Sequence, residues 1–448
     1  MFRVAGLVGV LIIVSKIFGL IRDLVIANYF GTSMTADAFN MAYLFTGNFF
    51  ILFGGIGGPF YSSVVAVLPK LQEKDPQAVR EFIKSILVKS SLVLVFVTAA
   101  IFFFRAYIVG FFIDPITKPE YFKATLFQLD FLLPLVLICG PIGILAGILN
   151  VYKKYYAPSL APAVLNFILI ITILIMGDAY NGLALALGTS IGALFSLAIQ
   201  FPAWFEARKK LKEAIDHSKT SLEKIATDLK FAKDKYGEIL YPALLGTGIS
   251  QALVYVDGYF SDAIGEGAWT SLVMGNRLVQ MPLGVLLTAF LVPLFPRLSE
   301  LATNNNYDEM KAQLKRAFRV LMLICVPGTL VGLFFAEPII RLIFERGAFD
   351  ASSTAMVSTV FFWLCLTIIP YIYRDTVTRV FYSIGDSRTP MYVALLAVIL
   401  KVFLNIWLIP IYGLAGIPIA TVAIIIFNFL LLSLLLKRKI GRFLCFTI

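Results

Sequence analysis

One histidine and four cysteines are all that this chain of 448 residues offers toward transition-metal or thiol chemistry. A zinc site draws about four ligands from closely spaced Cys, His and carboxylates, and the sequence contains neither a CxxC nor a second histidine. The single histidine, His217, stands in a charged stretch, so no Ser-His-Asp arrangement can be built inside an apolar segment. Cys139, Cys325, Cys365 and Cys445 are scattered among apolar neighbours and read as buried small hydrophobes. Charge is also scarce: 15% of residues are charged, against roughly a quarter in ordinary soluble chains. The common enzyme chemistries therefore drop out, and neither a metal nor a cofactor is expected.

What the chain has in abundance is hydrocarbon. It is 59% hydrophobic, with a mean hydropathy of +0.88. A helix crosses a bilayer with about 20 mostly apolar residues, and hydropathy places about twelve such spans here. They run over 4–28, 36–67, 86–113, 122–150, 157–177 and 181–205, then 238–262, 270–295, 317–343, 353–384, 389–409 and 413–436. The first is long, lacks a small-residue cleavage site and flows into the second, so it reads as a transmembrane helix and not as a signal peptide. Pro59, Pro134, Pro141, Pro282 and Pro370 are the expected kink sites.

Positive charge decides orientation. With the N-terminus in the cytoplasm, about 26 of the 38 Lys and Arg residues fall on that side, the largest group in 206–237. The opposite side receives Lys118, Lys123, Arg341 and Arg346. The expectation is a plasma-membrane protein with both termini inside. The net charge of +11 then reports topology, and no basic patch interleaved with aromatics points to nucleic acid.

The charged stretch EARKKLKEAIDHSKTSLEKIATDLKFAKDKYG, residues 206–237, divides the spans into two sets of six. Its pattern suits an amphipathic helix, although a solvated linker is the simpler reading. The expected organisation is a lobe over 1–205, a linker over 206–237 and a second lobe over 238–448. The halves echo each other: VLPKLQE at 67–73 with PLFPRLSE at 293–300, NGLALALG at 181–188 with YGLAGIPI at 412–419, and Ala157-Pro158 with Thr389-Pro390. Repeats in the same direction across an even number of spans imply a pseudo-two-fold axis along the membrane normal. That is a transporter architecture, in which one bundle rocks against the other. The fold class is thus all-α and polytopic, an alternating-access carrier.

Eight cationic residues fall within spans or near their ends: Lys16, Arg22, Lys89, Arg105, Arg277, Arg374, Arg379 and Lys401. Lys89 and Arg105 can snorkel to an interface; those farther from an end need water or a partner. In SKIFGLIRDLVIANYFG, residues 15–31, Lys16 and Asp23 share a helix face, with Arg22 about 100° from Asp23. A cavity lined by Lys16, Arg22 and Arg277 would attract phosphate or carboxylate, and arginine can grip a diphosphate through its planar fork. The plain alternative is an internal salt bridge of Arg22 with Asp23 or Asp37. FGGIGGPFYSS at 53–63 allows either a backbone bend beside a wide cavity or close helix packing. Arg374, Asp375 and Arg379 form either a second polar network or a structural one.

Several stretches together resemble the MurJ (MviN) family of lipid II flippases, within the superfamily of multidrug, oligosaccharidyl-lipid and polysaccharide exporters. They are SKIFGLIRDLVIANYFG followed by TADAF, NRLVQMPLGVLLTAFLVPLFPRLS, RLIFERGAFDASST and RVFYSIGDSRTPM, while LFGGIGGPFYSSVVAVL looks most like the cyanobacterial branch. The resemblance implies a V-shaped, MATE-like pair of six-helix lobes. It implies export of an undecaprenyl-diphosphate-linked disaccharide-pentapeptide to the outer leaflet, with no enzymatic step, by a monomer whose candidate partners are cell-wall synthesis proteins. Lys16, Arg22 and Arg277 match the family's headgroup-binding cations, and Asp23 and Asp37 its acids. Ile51 and Leu52 stand where the family often has an arginine pair, and the family's last two helices have no counterpart. Asp257 matches a coupling acid, but the eleventh span offers Lys401 and Asn405, so the resemblance implies an ammonium in the place of a coupling sodium. The rivals are a flippase for another isoprenoid-diphosphate oligosaccharide and a MATE-like drug exporter, whose cavity would be acidic and aromatic.

Overall fold

A computed structural model describes residues 2–55, 57–177, 182–216, 221–287, 292–304 and 306–440. His217 and Cys445 lie outside them, as do Ile56, Asn181, Lys219 and Arg442. Among the described residues every regular element is a helix, apart from an isolated bridge between Arg346 and Phe349. The chain forms two compact units, Met1–Phe30 with Met34–Gln251, and Gly31–Ser33 with Ala252–Ile448.

The first unit holds α1 (Phe2–Phe30), α2 (Met34–Phe49), a π-turn (Phe50–Gly54), α3 (Pro59–Gln72) and α4 (Pro76–Phe112). It continues through α5 (Pro119–Val151), α6 (Tyr156–Met176), α7 (Leu183–Ala198), α8 (Phe201–Asp216) and most of α9 (Leu222–Ser261). Local chemistry sets the helix ends. Asp75 accepts the amides of Gln77 (2.7 Å) and Ala78 (3.3 Å) at the start of α4, with Pro76 just inside. Gly177, at φ +62, closes α6. Pro59 opens α3 and does not kink it. Pro134 and Pro141 lie inside α5.

α5 is the hub of this unit, buried along most of its length against α2, α3, α4 and α7. Gly140, Gly143 and Gly147, spaced three and four apart, keep one face of α5 bare. A Cβ on Gly143 would lie 1.8 Å from the Phe53 carbonyl oxygen, and one on Gly147 would lie 2.9 Å from Val64 Cβ. Within FGGIGGPFYSS, Gly54 packs on Cys139 of α5, while Gly57, at φ +84 with nothing within 4 Å of its Cβ position, belongs to the backbone break between the π-turn and α3.

The stretch 206–237 is helical on both sides of residues 217–220, and it docks. Leu211, Ile225, Ala232, Tyr236 and Leu240 are buried in one cluster with Val67, Leu71, Val79 and Phe82. The apolar residues recur at helical spacing, which is why the stretch packs and does not float. Lys74 adds an ion pair to Asp228 at 3.4 Å and lies over the Phe231 ring.

The second unit holds the rest of α9, then α10 (Ala268–Leu286), α11 (Val292–Thr303), α12 (Tyr307–Phe334) and α13 (Ala336–Phe344). It ends with α14 (Ala351–Cys365), α15 (Ile368–Ser383), α16 (Arg388–Tyr412) and α17 (Gly416–Ile440). Tyr373 of α15 stacks on Phe318 of α12 at 4.2 Å and meets Phe429 of α17 at 5.3 Å. Cys325 and Cys365 are buried thiols here, as Cys139 is in the first unit. Gly31, at φ +52, lets its backbone meet the Ala348 carbonyl, where a Cβ would lie at 2.3 Å. Asp386, in the turn before α16, accepts from Lys439 and from the Thr389 hydroxyl and amide. Burial alone would raise its pKa, but these hydrogen bonds outweigh it and hold the carboxyl at about 2. Its stabilising link is complete above the ordinary carboxylate range and fades only as pH falls toward that value.

Eight helical stretches among the described residues are long and apolar enough to cross a membrane, or nine with the α14–α15 pair, bent by 46°, taken as one. The sequence reading of about twelve is larger for identifiable reasons. Arg388–Lys439 counts once at 52 residues, roughly 78 Å of helix, over twice a hydrocarbon core of about 30 Å. It breaks at Gly413, φ +54, into α16 and α17. The 29-residue α1 carries Lys16, Arg22 and Asp23 in its interior.

The glycine contacts give a paired test by thermal unfolding of the purified protein. Gly143→Ala must push the Phe53 carbonyl aside and is expected to destabilise by about 1–3 kcal/mol or more. On α12, a Cβ at Gly328 meets nothing within 4 Å, so Gly328→Ala should stabilise by up to about 1 kcal/mol through helix propensity. Equal melting of the two variants would contradict the packing account.

Candidate functional site

Charges inside membrane spans are the candidate functional groups, and each unit contains its own set. In the first unit α1 and α6 pack side by side, with Phe18 against Phe167 at 5.8 Å. Arg22 points into that seam. Its Nε and Nη2 donate to Asp23 Oδ1 at 3.1 and 2.8 Å, and its Nη1 donates to Asn166 Oδ1 at 2.9 Å. The guanidinium is thus oriented by one carboxylate and one amide, both largely withdrawn from solvent. The internal salt bridge weighed from sequence forms with Asp23. Asn166, 144 residues away in the chain, carries no charge and no motif and was not foreseen.

Lys16, on the same helix, is half-buried and has no hydrogen bond or ion pair among the described residues. It lies six residues before Arg22, roughly 9 Å along the axis. An unpaired ammonium in a membrane span needs water or an anion. Asp37 sits in the first turn of α2 and is 3% exposed, where the helix N-terminus favours a negative charge. Ile51 and Leu52 occupy the π-turn, with Ile51 48% exposed. Arg105, expected to snorkel, instead pairs with Asp130 of α5 at 3.0 Å.

In the second unit three helices meet at a buried lysine. Lys401 of α16 is 1% exposed; its Nζ lies 3.0 Å from Asp257 Oδ1 of α9 and donates to the Ile417 carbonyl of α17 at 3.1 Å. It also donates to the Thr421 hydroxyl. Asn405, one turn beyond Lys401, donates to the same Asp257 oxygen at 3.3 Å, and its own carbonyl oxygen has no partner among the described residues. The structure thus brings together Asp257, Lys401 and Asn405, and adds Ile417 and Thr421, which sequence reasoning missed. A backbone carbonyl and a threonine on an apolar helix give no signal that could have found them. Arg277 is half-buried on α10, whose opposite face packs on α14 with Gly275 beneath Val360.

These groups make two kinds of chemistry available. The α1 set is a cationic surface with an oriented guanidinium. The Lys401 set is an ammonium caged by oxygen atoms, its three protons directed at Asp257, Ile417 and Thr421. A family model described as Lipid II flippase MurJ matches residues 26–446. The chain belongs to the MurJ family.

Relatives and solved structures agree with that membership. A probable lipid II flippase MurJ of Synechocystis is 30% identical, the match covering 98% of this chain and 82% of the relative. The lipid II flippase MurJ of Burkholderia cenocepacia is 24% identical over 98% of this chain and 84% of its own length. Among solved structures, a MurJ in an inward closed conformation superposes with TM-score 0.77 at 23% identity, covering 97% of this chain and 90% of that one. An inward-facing MATE multidrug transporter superposes with TM-score 0.71 at 12% identity, covering 97% and 96%. The fold is therefore that of MurJ and MATE transporters, and the chain is a multi-pass membrane protein.

The lysine cage can be tested within this MurJ-family chain by a double-mutant cycle on thermal stability. Lys401→Ala leaves the Asp257 carboxylate without its cation and is expected to cost about 3–5 kcal/mol. Asp257→Asn should be milder, since Lys401 keeps the Ile417 carbonyl and the Thr421 hydroxyl. Adding Asp257→Asn to Lys401→Ala should recover a large part of the loss. Additive effects of the two changes would show that the pair is not coupled.

Proposed function

We propose that this chain flips lipid II, the undecaprenyl-diphosphate-linked peptidoglycan precursor, from the inner to the outer leaflet by alternating access. The observation that carries the reading is the cation surplus on α1 of a MurJ-family chain. Arg22 is held by Asp23 and Asn166, while Lys16 has no protein anion among the described residues. A diphosphate is the kind of ligand that two such cations suit, because a planar guanidinium and a point-charge ammonium together match its oxygens. Lys16, Arg22 and Arg277 are the proposed diphosphate contacts, with Asp23 and Asp37 balancing them when the substrate is absent. Asp257, Lys401 and Asn405 act as an internal ion pair, the ammonium standing where a coupling cation would otherwise bind. The protein works in the plasma membrane as a monomer, with both termini in the cytoplasm and with α8 and the charged start of α9 on that face. Cell-wall synthesis proteins are its candidate partners.

The test uses purified protein in liposomes loaded with lipid II, scoring how much becomes accessible in the outer leaflet with time. Arg22→Ala and Arg277→Ala are each expected to abolish movement, and a capsule-type lipid diphosphate should compete poorly. Equal movement by wild type and both variants would reject the cationic contacts. Preferred movement of the capsule-type lipid would assign the protein to a different isoprenoid-diphosphate substrate.

A further inference from the structure

α15 has a polar face that neither the diphosphate contacts nor the lysine cage uses. Tyr371, Arg374, Asp375, Thr378, Arg379 and Tyr382 recur at i, i+3, i+4, i+7, i+8 and i+11, covering about 140° of the helix. The opposite face is sealed into the core of the second unit. Ile372, Thr376, Val377, Val380 and Phe381 are each at most 3% exposed, and Tyr373 stacks between Phe318 and Phe429. None of the six polar residues is fully buried, and Tyr382 is 49% exposed.

The charges on this face are not mutually satisfied. Asp375 is engaged by Arg379 Nε at 2.9 Å. Arg374 lies over the Tyr371 ring, 4.3 Å from its centroid, and forms no salt bridge or side-chain hydrogen bond among the described residues. A ring face steadies a guanidinium without consuming its in-plane donors. Arg374 also stands nine residues before the end of α15, roughly 13 Å of helix, which is farther than an arginine side chain reaches by snorkelling. A second observation points the same way. α14 and α15 form one apolar stretch broken at Leu366 and Thr367 with a bend of 46°. At the break the helical ladder gives way to a tight turn, in which the Leu364 carbonyl accepts from the Thr367 amide at 2.9 Å and from its hydroxyl at 2.6 Å. Irregular backbone at membrane depth persists where it is buried in protein or beside water.

We infer that the polar face of α15 is a water-facing anion site that receives a carboxylate of the peptide on the transported lipid. The inference rests on the flippase reading and extends it to a second point of contact. The guanidinium of Arg374 offers a two-pronged donor edge that fits a carboxylate, and the tyrosines offer hydroxyls and ring faces to the groups around it. Asp375 beside Arg379 leaves the face with a single surplus positive charge. That suits one carboxylate better than a diphosphate, which carries more charge.

The test separates carboxylate from diphosphate by using two probes, intact lipid II and undecaprenyl diphosphate, which lacks sugars and peptide. Binding of each to detergent-purified protein is measured by native mass spectrometry. Arg374→Ala is expected to weaken lipid II by about tenfold or more, the size of a lost charge-assisted contact, and to leave undecaprenyl diphosphate unchanged. Arg374→Lys, which keeps the charge without the fork, should give an intermediate value and guards against loss through misfolding. Arg22→Ala should weaken both probes. Unchanged lipid II binding in Arg374→Ala, or equal weakening of both probes, would overturn the α15 site while leaving the flippase reading intact. Failure of the wild-type protein to bind lipid II at all would sink both. A second measurement addresses the water directly. In a cysteine-free background, a charged water-soluble thiosulfonate should modify Thr378→Cys, with lipid II protecting it, and spare Val377→Cys on the sealed face. An unreactive Thr378→Cys would show the face to be dry and end the proposal.

Discussion

Hydrocarbon offers nothing to a charge, and every functional feature of this chain follows from how its intramembrane charges meet that condition. Three solutions coexist. Arg22 is held locally by the neighbouring Asp23 and by an amide from a second helix. Lys401 is enclosed by oxygens from three helices. Among the described residues Arg374 makes its one side-chain contact of this kind with a tyrosine ring, leaving its in-plane donors open. The first orients a cation, the second consumes one, and the third leaves one open. A chain with so few charges could have done without them, and each costs several kcal/mol to withdraw from water without compensation. Their presence inside spans is therefore the strongest functional statement that this composition can make.

Around those charges the scaffold is built by backbone approach more than by side-chain bulk. α5 presents glycines to the π-turn and to α3. Without a hydrophobic effect between helices in lipid, dispersion contacts at short range are the main source of cohesion. Small residues shorten that range. The α1–α6 seam is close as well, with Gly19 of α1 beside the Asn166 amide, and that approach places Asn166 within reach of Arg22.

The sequence made some of this legible and hid the rest for physical reasons. The spans expected at 122–150 and 157–177 fall close to α5 and α6, because apolar runs there end at residues such as Pro119 and Gly177 whose backbone constraints act locally. The residues worth watching were also visible, because Lys, Arg and Asp are conspicuous in apolar runs. Their partners were not. Asn166 lies 144 residues from Arg22, and the Ile417 carbonyl is an atom that every residue possesses. The Arg105–Asp130 pair escaped notice because its members stand 25 residues apart on different helices and snorkelling explains Arg105 alone. The 206–237 stretch read as solvated because its charges outnumber its apolar residues. A stripe one residue wide is nevertheless enough to dock a helix on α3 and α4. The number of spans depended on how breaks such as Gly413 are treated, which hydropathy alone does not see.

The lysine cage has a consequence best put in the language of mass action. A dissociable ion fills its site to a degree set by its concentration, so a joint that depends on it responds to the medium. The ammonium of Lys401 is bonded to the chain four carbons from its own backbone. Its local concentration is a constant of the fold, and dilution, dialysis or a change of salt cannot empty the place. Whatever resets α9 against α16 and α17 must act on bonds that are always loaded. The joint is closed to the concentration of dissolved metal ions, and only the proton on Nζ remains exchangeable.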